Sequence, residues 1–429
     1  MTGLEARVAS ALDVTAMVSA VRRLVRIPSW NGNETPAQEI VAELMADLGL
    51  ETDVWEIDLP AVQAHPECSW EIERHRALGV VGSLEGRGDG PTLLLDGHVD
   101  VVPPGDAAQW SHDPFGAVVE NGRIHGRGAL DMKGPLMAGL FALAAVREAG
   151  VDLAGTVRLL SVVGEEDGGI GTLASILRGY TGDGAIVMEP TDLAVAPVQS
   201  GCLNFRVRVP GRAAHGAVRE EGVSAFDKLF DVYRALTDLE RRRNAGLGGD
   251  PLFARCRLPF PVSVGTMRGG DWASSVPDHA TMEGRIGVRP DERPGDAQAE
   301  LEAAVAAAAD ADGFLCEHRP TVEWWGGRFL AASTPVDHPL VRCLRSAVDD
   351  VTGRRSELEM VPFGADAGLL ERVGNTPAIV FGAGDIRMAH RPNESVDIDA
   401  LTAMSRSIAV TVLRFCGGRE SNTRLVDEA

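Results

Sequence analysis

Between residues 35 and 200 the chain alternates helix-spaced apolar positions with short continuous apolar runs. TPAQEIVAELMADLGLE (35–51) repeats its apolar residues at helical spacing. Thr35 suits an N-cap, Pro36 the first position, Gln38 a capping box and Gly49 the end. PTLLLDGHVDVV (91–102) is an apolar run that turns polar, the pattern of a buried strand. GPLMAGLFALAAVREAG (134–150) predicts a helix with Pro135 near its start and Gly150 just past its end. GTVRLLSVVGEE (155–166) and GAIVMEP (184–190) predict further buried strands. This βα alternation predicts an α/β fold, a mostly parallel sheet covered by helices on both faces.

The texture changes near residue 200. LNFRVRVPGR (203–212) alternates like an antiparallel strand, and a long helix is predicted from about Ser224 to Arg243. FPVSVGTMRGG and HATMEGRIGVRP alternate again, and DAQAELEAAVAAAADA is an alanine-rich helix. The order β-α-β-β-α-β predicts an inserted α+β (ferredoxin-like) domain. Helical and buried-strand patterns return in HPLVRCLRSAVDDVTG and PAIVFGAG. The expected organisation is therefore a first catalytic segment 1–199, an inserted domain 200–325 and a second catalytic segment 326–429. Arg241 to Arg243 read as the solvated end of the inserted domain's helix.

Composition narrows the function. The 429 residues are 45% hydrophobic and 24% charged, as in a soluble globular protein. No apolar run approaches the ~20 residues of a membrane span, and MTGLEARVASALDV lacks the form of a secretory signal. The six cysteines show no CxxC spacing, which fits a reducing cytoplasm. A formal charge of −21 disfavours nucleic acid and anionic membrane as partners.

Ligands of open parallel sheets gather outside the carboxyl ends of the strands. Metal-compatible side chains fall there: His98 and Asp100 in LLLDGHVDVVP, Asp131 in IHGRGALDMKG, Glu165 with Glu166, and Glu189 in AIVMEPTD. His390, in VFGAGDIRMAHRPNE, joins them from far along the chain. Each has a structural alternative: a satisfied histidine, a helix cap, a strand end, an acidic turn. Together they are the inventory of a two-metal site. Adjacent carboxylates repel unless cations sit nearby.

DGHVDVVPPGD, HGRGALDMKGPLMAGL, VGEEDGGIGT, MEPTD, GRAAHG and FGAGDIRMAHRPNESV together resemble one family in order and spacing. It is that of the zinc-dependent acetylornithine deacetylases, succinyl-diaminopimelate desuccinylases and carboxypeptidases, di-zinc metallopeptidases and aminoacylase-like deacylases. The resemblance runs from RIPSWNGNE to NESVDIDAL. It implies that Asp131 bridges two divalent metals, zinc with cobalt or manganese as substitutes. His98 and Glu189 would complete one shell, Glu166 and His390 the other. Asp100 would accept the second ring N–H of His98, and a cis peptide would follow Asp131. Glu165 would be the general base and His215 the oxyanion donor, often supplied across a dimer formed by the inserted domain. Arg289 would hold a substrate carboxylate or stand exposed on its strand. Gly382 and Gly384 would let backbone approach the substrate, or form a turn.

The chain also departs from the family pattern. SSVPD places Ser274 or Ser275 where relatives carry an amide, FGADAG replaces a Thr-Asp-Ala-Arg, and Arg391 follows the metal histidine. The implied reaction is hydrolysis of an N-acyl amino acid or related N-acyl amine in a cytoplasmic homodimer. Rival readings are a carboxypeptidase or dipeptidase, an N-carbamoyl amide hydrolase and a non-catalytic relative.

Overall fold

The computed structural model describes residues 1–420, so residues 421–429 of the second segment lie outside the described residues. Among the described residues no helix is long and apolar enough to cross a membrane. Strands β1 (Glu51–Glu56), β2 (Leu78–Leu84), β3 (Leu93–His98), β4 (Val157–Val162), β5 (Gly184–Val187) and β6 (Val195–Gln199) come first. Then follow β7 (Gly201–Pro210), β8 (Val262–Gly269), β9 (His279–Val288), β10 (Thr321–Phe329) and β11 (Ala378–Val380). The helices used below are α1 (Thr35–Asp47), α2 (Lys133–Glu148), α3 (Ile170–Leu177), α4 (Ala225–Arg243), α5 (Pro294–Asp310) and α6 (Ile398–Cys416).

One compact unit comprises, among the described residues, Met1–Val198, Ala332–Glu359 and residues 365–420. Its large sheet runs β1-β2-β4-β3-β5-β11-β6, with Ala332–Ser333 at the far edge. The centre, β4-β3-β5-β11, is parallel. The β1/β2, β2/β4 and β11/β6 pairs are antiparallel. The mostly parallel sheet expected from sequence is thus corrected to a mixed one. Parallel strands of one sheet need long crossovers, such as α2 between β3 and β4 and α3 between β4 and β5. The margins are not bound by that rule, and the half-exposed alternation of β1 is the mark of an edge.

Helix α2 is buried at nearly every position from Lys133 to Val146, as expected of a helix apolar all round. It packs on α6 and β3. Gly49 takes the left-handed φ of +74° beyond the end of α1, where sequence placed it. The capping box does not form. Glu34 is the N-cap, and no side chain caps the helix. Gln38 is instead buried, donating to the carbonyls of Leu78 (3.0 Å) and Ser161 (2.7 Å), so its amide ties the helix to β2 and β4.

The other unit comprises Gln199–Ala331 with Met360–Gly364. Its elements follow the order β7-α4-β8-β9-α5-β10, and its antiparallel sheet runs β8-β9-β7-β10. Ser224 caps α4, as its place before the apolar periodicity suggests. Helices α4 and α5 pack against each other and β9 around Phe205, Leu229, Met282, Ile286 and Leu301. Arg243 is not solvated. It is 2% exposed, ion-paired with Glu292 and Glu300, and donates to the Gly287 carbonyl at 2.8 Å. Helical phase turns this last arginine of the run inward.

Candidate metal centre

The four parallel strands end in register, His98 beside Val162 and Asp96 beside Val187. Glu165 and Glu166 follow β4, Glu189 follows β5, and His390 lies on the loop after β11. The two carboxylate oxygens of Asp131 divide between the histidines. Oδ1 lies 3.3 Å from Nε2 of His98, and Oδ2 lies 3.2 Å from Nε2 of His390. His98 Nε2 is also 3.5 Å from Glu189, and His390 Nε2 is 3.0 Å from Glu166. Ligand atoms of His98, Glu165 and Glu189 all lie within 4.8 Å of one another. Met132 follows Asp131 through a cis peptide bond.

The electrostatics test whether such a set suits cations. Burial pushes Glu189 up to about 8, with the charge of Asp131 adding to it. Burial also raises Glu165, helped by Glu189. The charge of Glu166 lifts the His390 imidazole up to about 11. Asp131 is buried, which opposes ionisation, yet hydrogen bonds from His390 and His98 hold its carboxyl far below the usual range. The cluster is therefore an excess of carboxylate drawn tight around two imidazoles. Divalent ions coordinated by nitrogen and oxygen offset that excess, so the residues fit a dinuclear metal centre.

The surrounding residues fix this geometry. His98 Nδ1 lies 2.9 Å from the backbone carbonyl of Asp100. The resemblance implies that Asp100 meets this ring nitrogen; its backbone oxygen does so, while the Asp100 carboxylate stands 3.7 Å away. It accepts instead the N–H groups of Glu165 (3.3 Å) and Glu166 (3.0 Å), holding the turn that carries both glutamates. Gly382 does not face open space. A Cβ there would meet the Glu189 carbonyl oxygen at 2.5 Å, so the glycine lets β11's loop pass against the Glu189 backbone. Gly384, at φ +92°, is the turn residue.

Sequence reasoning missed Glu394. Fully buried, it accepts the N–H groups of Leu130 (3.0 Å) and Asp131 (3.2 Å) and pairs with buried Arg127 at 2.6 Å. Burial pushes its carboxyl up to about 7. The signal was its place four residues after His390. Sequence also missed Asp366, in the divergent FGADAG, which accepts from Thr172 at 2.6 Å; Thr172 in turn reaches Asp96 at 3.3 Å.

In the other unit, His215 is exposed and pairs across a two-stranded ribbon with Ser275. Its Nδ1 accepts the Ala217 N–H at 3.1 Å. Gly216, Arg219, Phe226 and Ser275 line a cleft of about 660 Å³ beside them. Arg289 is held by Glu292 (3.4 Å) and Glu300 (3.8 Å). Arg285, four residues earlier, has a buried Nε and Nη2 with no hydrogen-bond partner among the described residues. The alternation of β9 puts Arg285 on the face opposite to buried Ile286 and Val288, and Arg289 follows the strand's last residue.

Comparison with known proteins follows the same line. A family model described as Peptidase family M20/M25/M40 matches residues 94–414. The N-formyl-4-amino-5-aminomethyl-2-methylpyrimidine deformylase of Bacillus subtilis (strain 168) is 29% identical over 408 residues, 90% of this chain and 91% of its own. The succinyl-diaminopimelate desuccinylase of Methylobacterium nodulans is 32% identical over 402 residues, 90% of this chain and 93% of its own. A solved Bacillus subtilis structure described as a dinuclear metal binding peptidase from the M20 family superposes with a TM-score of 0.60 at 18% identity. It covers 94% of this chain and 98% of that one.

Proposed function

The chain belongs to peptidase family M20/M25/M40 and is an amide hydrolase; from that premise we propose that it removes the acyl group of an N-acyl amine bearing a carboxylate. The observation that carries the reading is the sharing of Asp131 between His98 and His390, with Glu189 and Glu166 completing the two sides. Those five residues would hold two divalent ions, zinc by the chemistry of the donors, with cobalt or manganese able to substitute. Such ions polarise an amide carbonyl and lower the pKa of the attacking water.

The chain's own residues do the rest. Glu165 lies within reach of His98 and Glu189. It takes the proton of the attacking water and delivers it to the departing nitrogen. Asp100 holds the Glu165–Glu166 turn through its two amide contacts. His215 donates to the developing oxyanion. The inserted unit serves as lid and as the surface of a homodimer, and Ser275 stands beside His215 to meet the substrate. The enzyme works in the cytoplasm.

The two relatives differ in the amine that their names specify, a pyrimidine methylamine against diaminopimelate. The Arg285 guanidinium, whose buried Nε and Nη2 have no hydrogen-bond partner among the described residues, favours the carboxylate-bearing kind. The same feature suits a peptide C-terminus, which keeps a carboxypeptidase or dipeptidase as the second reading. Assays of zinc-loaded protein on N-acetyl, N-formyl and N-succinyl amino acids, dipeptides and an N-formyl aminomethylpyrimidine separate the readings. Turnover restricted to the pyrimidine would overturn the carboxylate requirement. Turnover of none would overturn the reading itself.

A further inference from the structure

Residues 118–125 form a hairpin whose turn is Asn121-Gly122, with φ of +51° and +74°. Two left-handed residues make the two-residue turn that Asn-Gly favours, and such a turn fixes register. Val118 pairs with His125 and Glu120 with Arg123. Glu120 and His125 are therefore diagonal neighbours on one face, within reach of each other for long side chains, while buried Ile124 takes the other. His112 approaches that face from the preceding loop. Its Nε2 lies 3.4 Å from Glu120 Oε2, and its ring meets the His125 ring edge-on at 5.1 Å.

We propose that His112, Glu120 and His125 form a third metal site, for a zinc-like divalent transition ion, built from none of the residues of the dinuclear centre. Ligand atoms of the three lie within 4.8 Å of one another. Ligands of a tetrahedral zinc with bonds near 2.0–2.2 Å stand roughly 3.3–3.5 Å apart. The His112–Glu120 pair already has that spacing, so only the His125 ring must close in. Its Nε2 is buried without a hydrogen-bond partner among the described residues, a cost that a metal bond would remove. Two imidazoles and one carboxylate, with the last position left to water, are a ligand set zinc accepts.

The frame is set before any ion arrives. The Ser111 N–H donates to Asn393 Oδ1 at 2.7 Å, and the Pro114 carbonyl accepts the Arg127 N–H at 2.8 Å, which fixes the loop on both sides of His112. The hairpin pairs with Ser395–Asp397, so Arg123–His125 is an inner strand. Two of these anchors, Asn393 and Ser395–Asp397, lie just after His390 in the chain.

The test starts from holoenzyme with the dinuclear centre saturated. Equilibrium dialysis against zinc, read by elemental analysis, should show one additional zinc per chain. His112→Asn, Glu120→Gln and His125→Asn should each weaken only that equivalent, by more than the roughly tenfold that loss of an outer-shell partner costs. Their original metal complement and turnover should stay at parental level. If His125→Asn fails to fold, the variants at half-buried His112 and exposed Glu120 carry the test. No additional equivalent, or one that the variants bind like the parent, overturns the proposal. Neither result touches the dinuclear centre, whose metal content is counted in the same samples.

Discussion

Glu394→Gln isolates what a buried charge does for the Asp131 backbone. The carboxylate and its partner Arg127 are 0% and 2% exposed and 2.6 Å apart. Its other oxygen accepts the N–H groups of Leu130 and Asp131. Glutamine keeps the volume and one acceptor, so the amide contacts can persist. Its NH2 group then faces a guanidinium that only donates, and the buried positive charge loses its counter-charge. Removing one partner of a buried pair costs about 3–5 kcal/mol. At about 2 °C per kcal/mol for a large domain, Tm should fall by about 6–10 °C, measured calorimetrically in chelator so that metal does not contribute. Competition dialysis should then show metal affinity reduced about 10–100-fold, because the tether that orients Asp131 is weakened. A Tm within about 2 °C of the parent would refute the energetic reasoning. A full stability loss with unchanged affinity would show that the pair holds the fold but not the ligand.

Glu165→Gln should keep its metals and lose about 10²–10⁴-fold in kcat; turnover near the parental rate in metal-replete protein would remove Glu165 as the proton carrier. Arg285→Met should raise stability by about 1–3 kcal/mol in denaturant melts, by removing buried donors that lack partners, while raising KM for carboxylate substrates. An unchanged KM would exclude Arg285 from the substrate. Hydrogen bonding by Arg414 holds the Glu5 carboxyl below its ordinary value, against the effect of burial. A depressed carboxyl stabilises the fold above its unfolded pKa of about 4.3, and that contribution is lost as pH falls through the folded value. The stability gap between parent and Glu5→Gln should therefore be about 1 kcal/mol at neutral pH and close as the solution is acidified. A gap that widens in acid would reverse the sign.

What was legible in the sequence was what a single segment encodes. An apolar run that turns polar at His98, at Glu165 or at Glu189 states both the strand and the end at which chemistry can sit. Sheet direction was not legible at the margins, because antiparallel partners such as β1 and β2 need no crossover helix to announce them. Partnerships were legible least. Gln38 has the spacing of a capping residue, yet its amide bridges two strands, and Ser161 is 123 residues away. Arg127 and Glu394 are separated by 267 positions, and nothing local announces that the two pair.

The GEED segment shows why partners, rather than proximity, decide which carboxylates can meet a cation. Three consecutive acids leave one strand end and take three courses. Glu166 faces His390, and Glu165 faces His98 and Glu189. Asp167 turns away, accepting the N–H groups of Glu71 and Ile72 and a bidentate contact from buried Arg74, which also grips Glu34. Asp100 is only two residues from His98, yet its carboxylate is engaged by backbone amides. Amide and guanidinium donors occupy the lone pairs that a metal would need, so these acids are kept out of the centre while setting its shape. The acids left facing imidazoles, without amide donors to neutralise them, are the ones that repel one another. In them, and not in the local density of negative charge, lies the attraction for divalent ions.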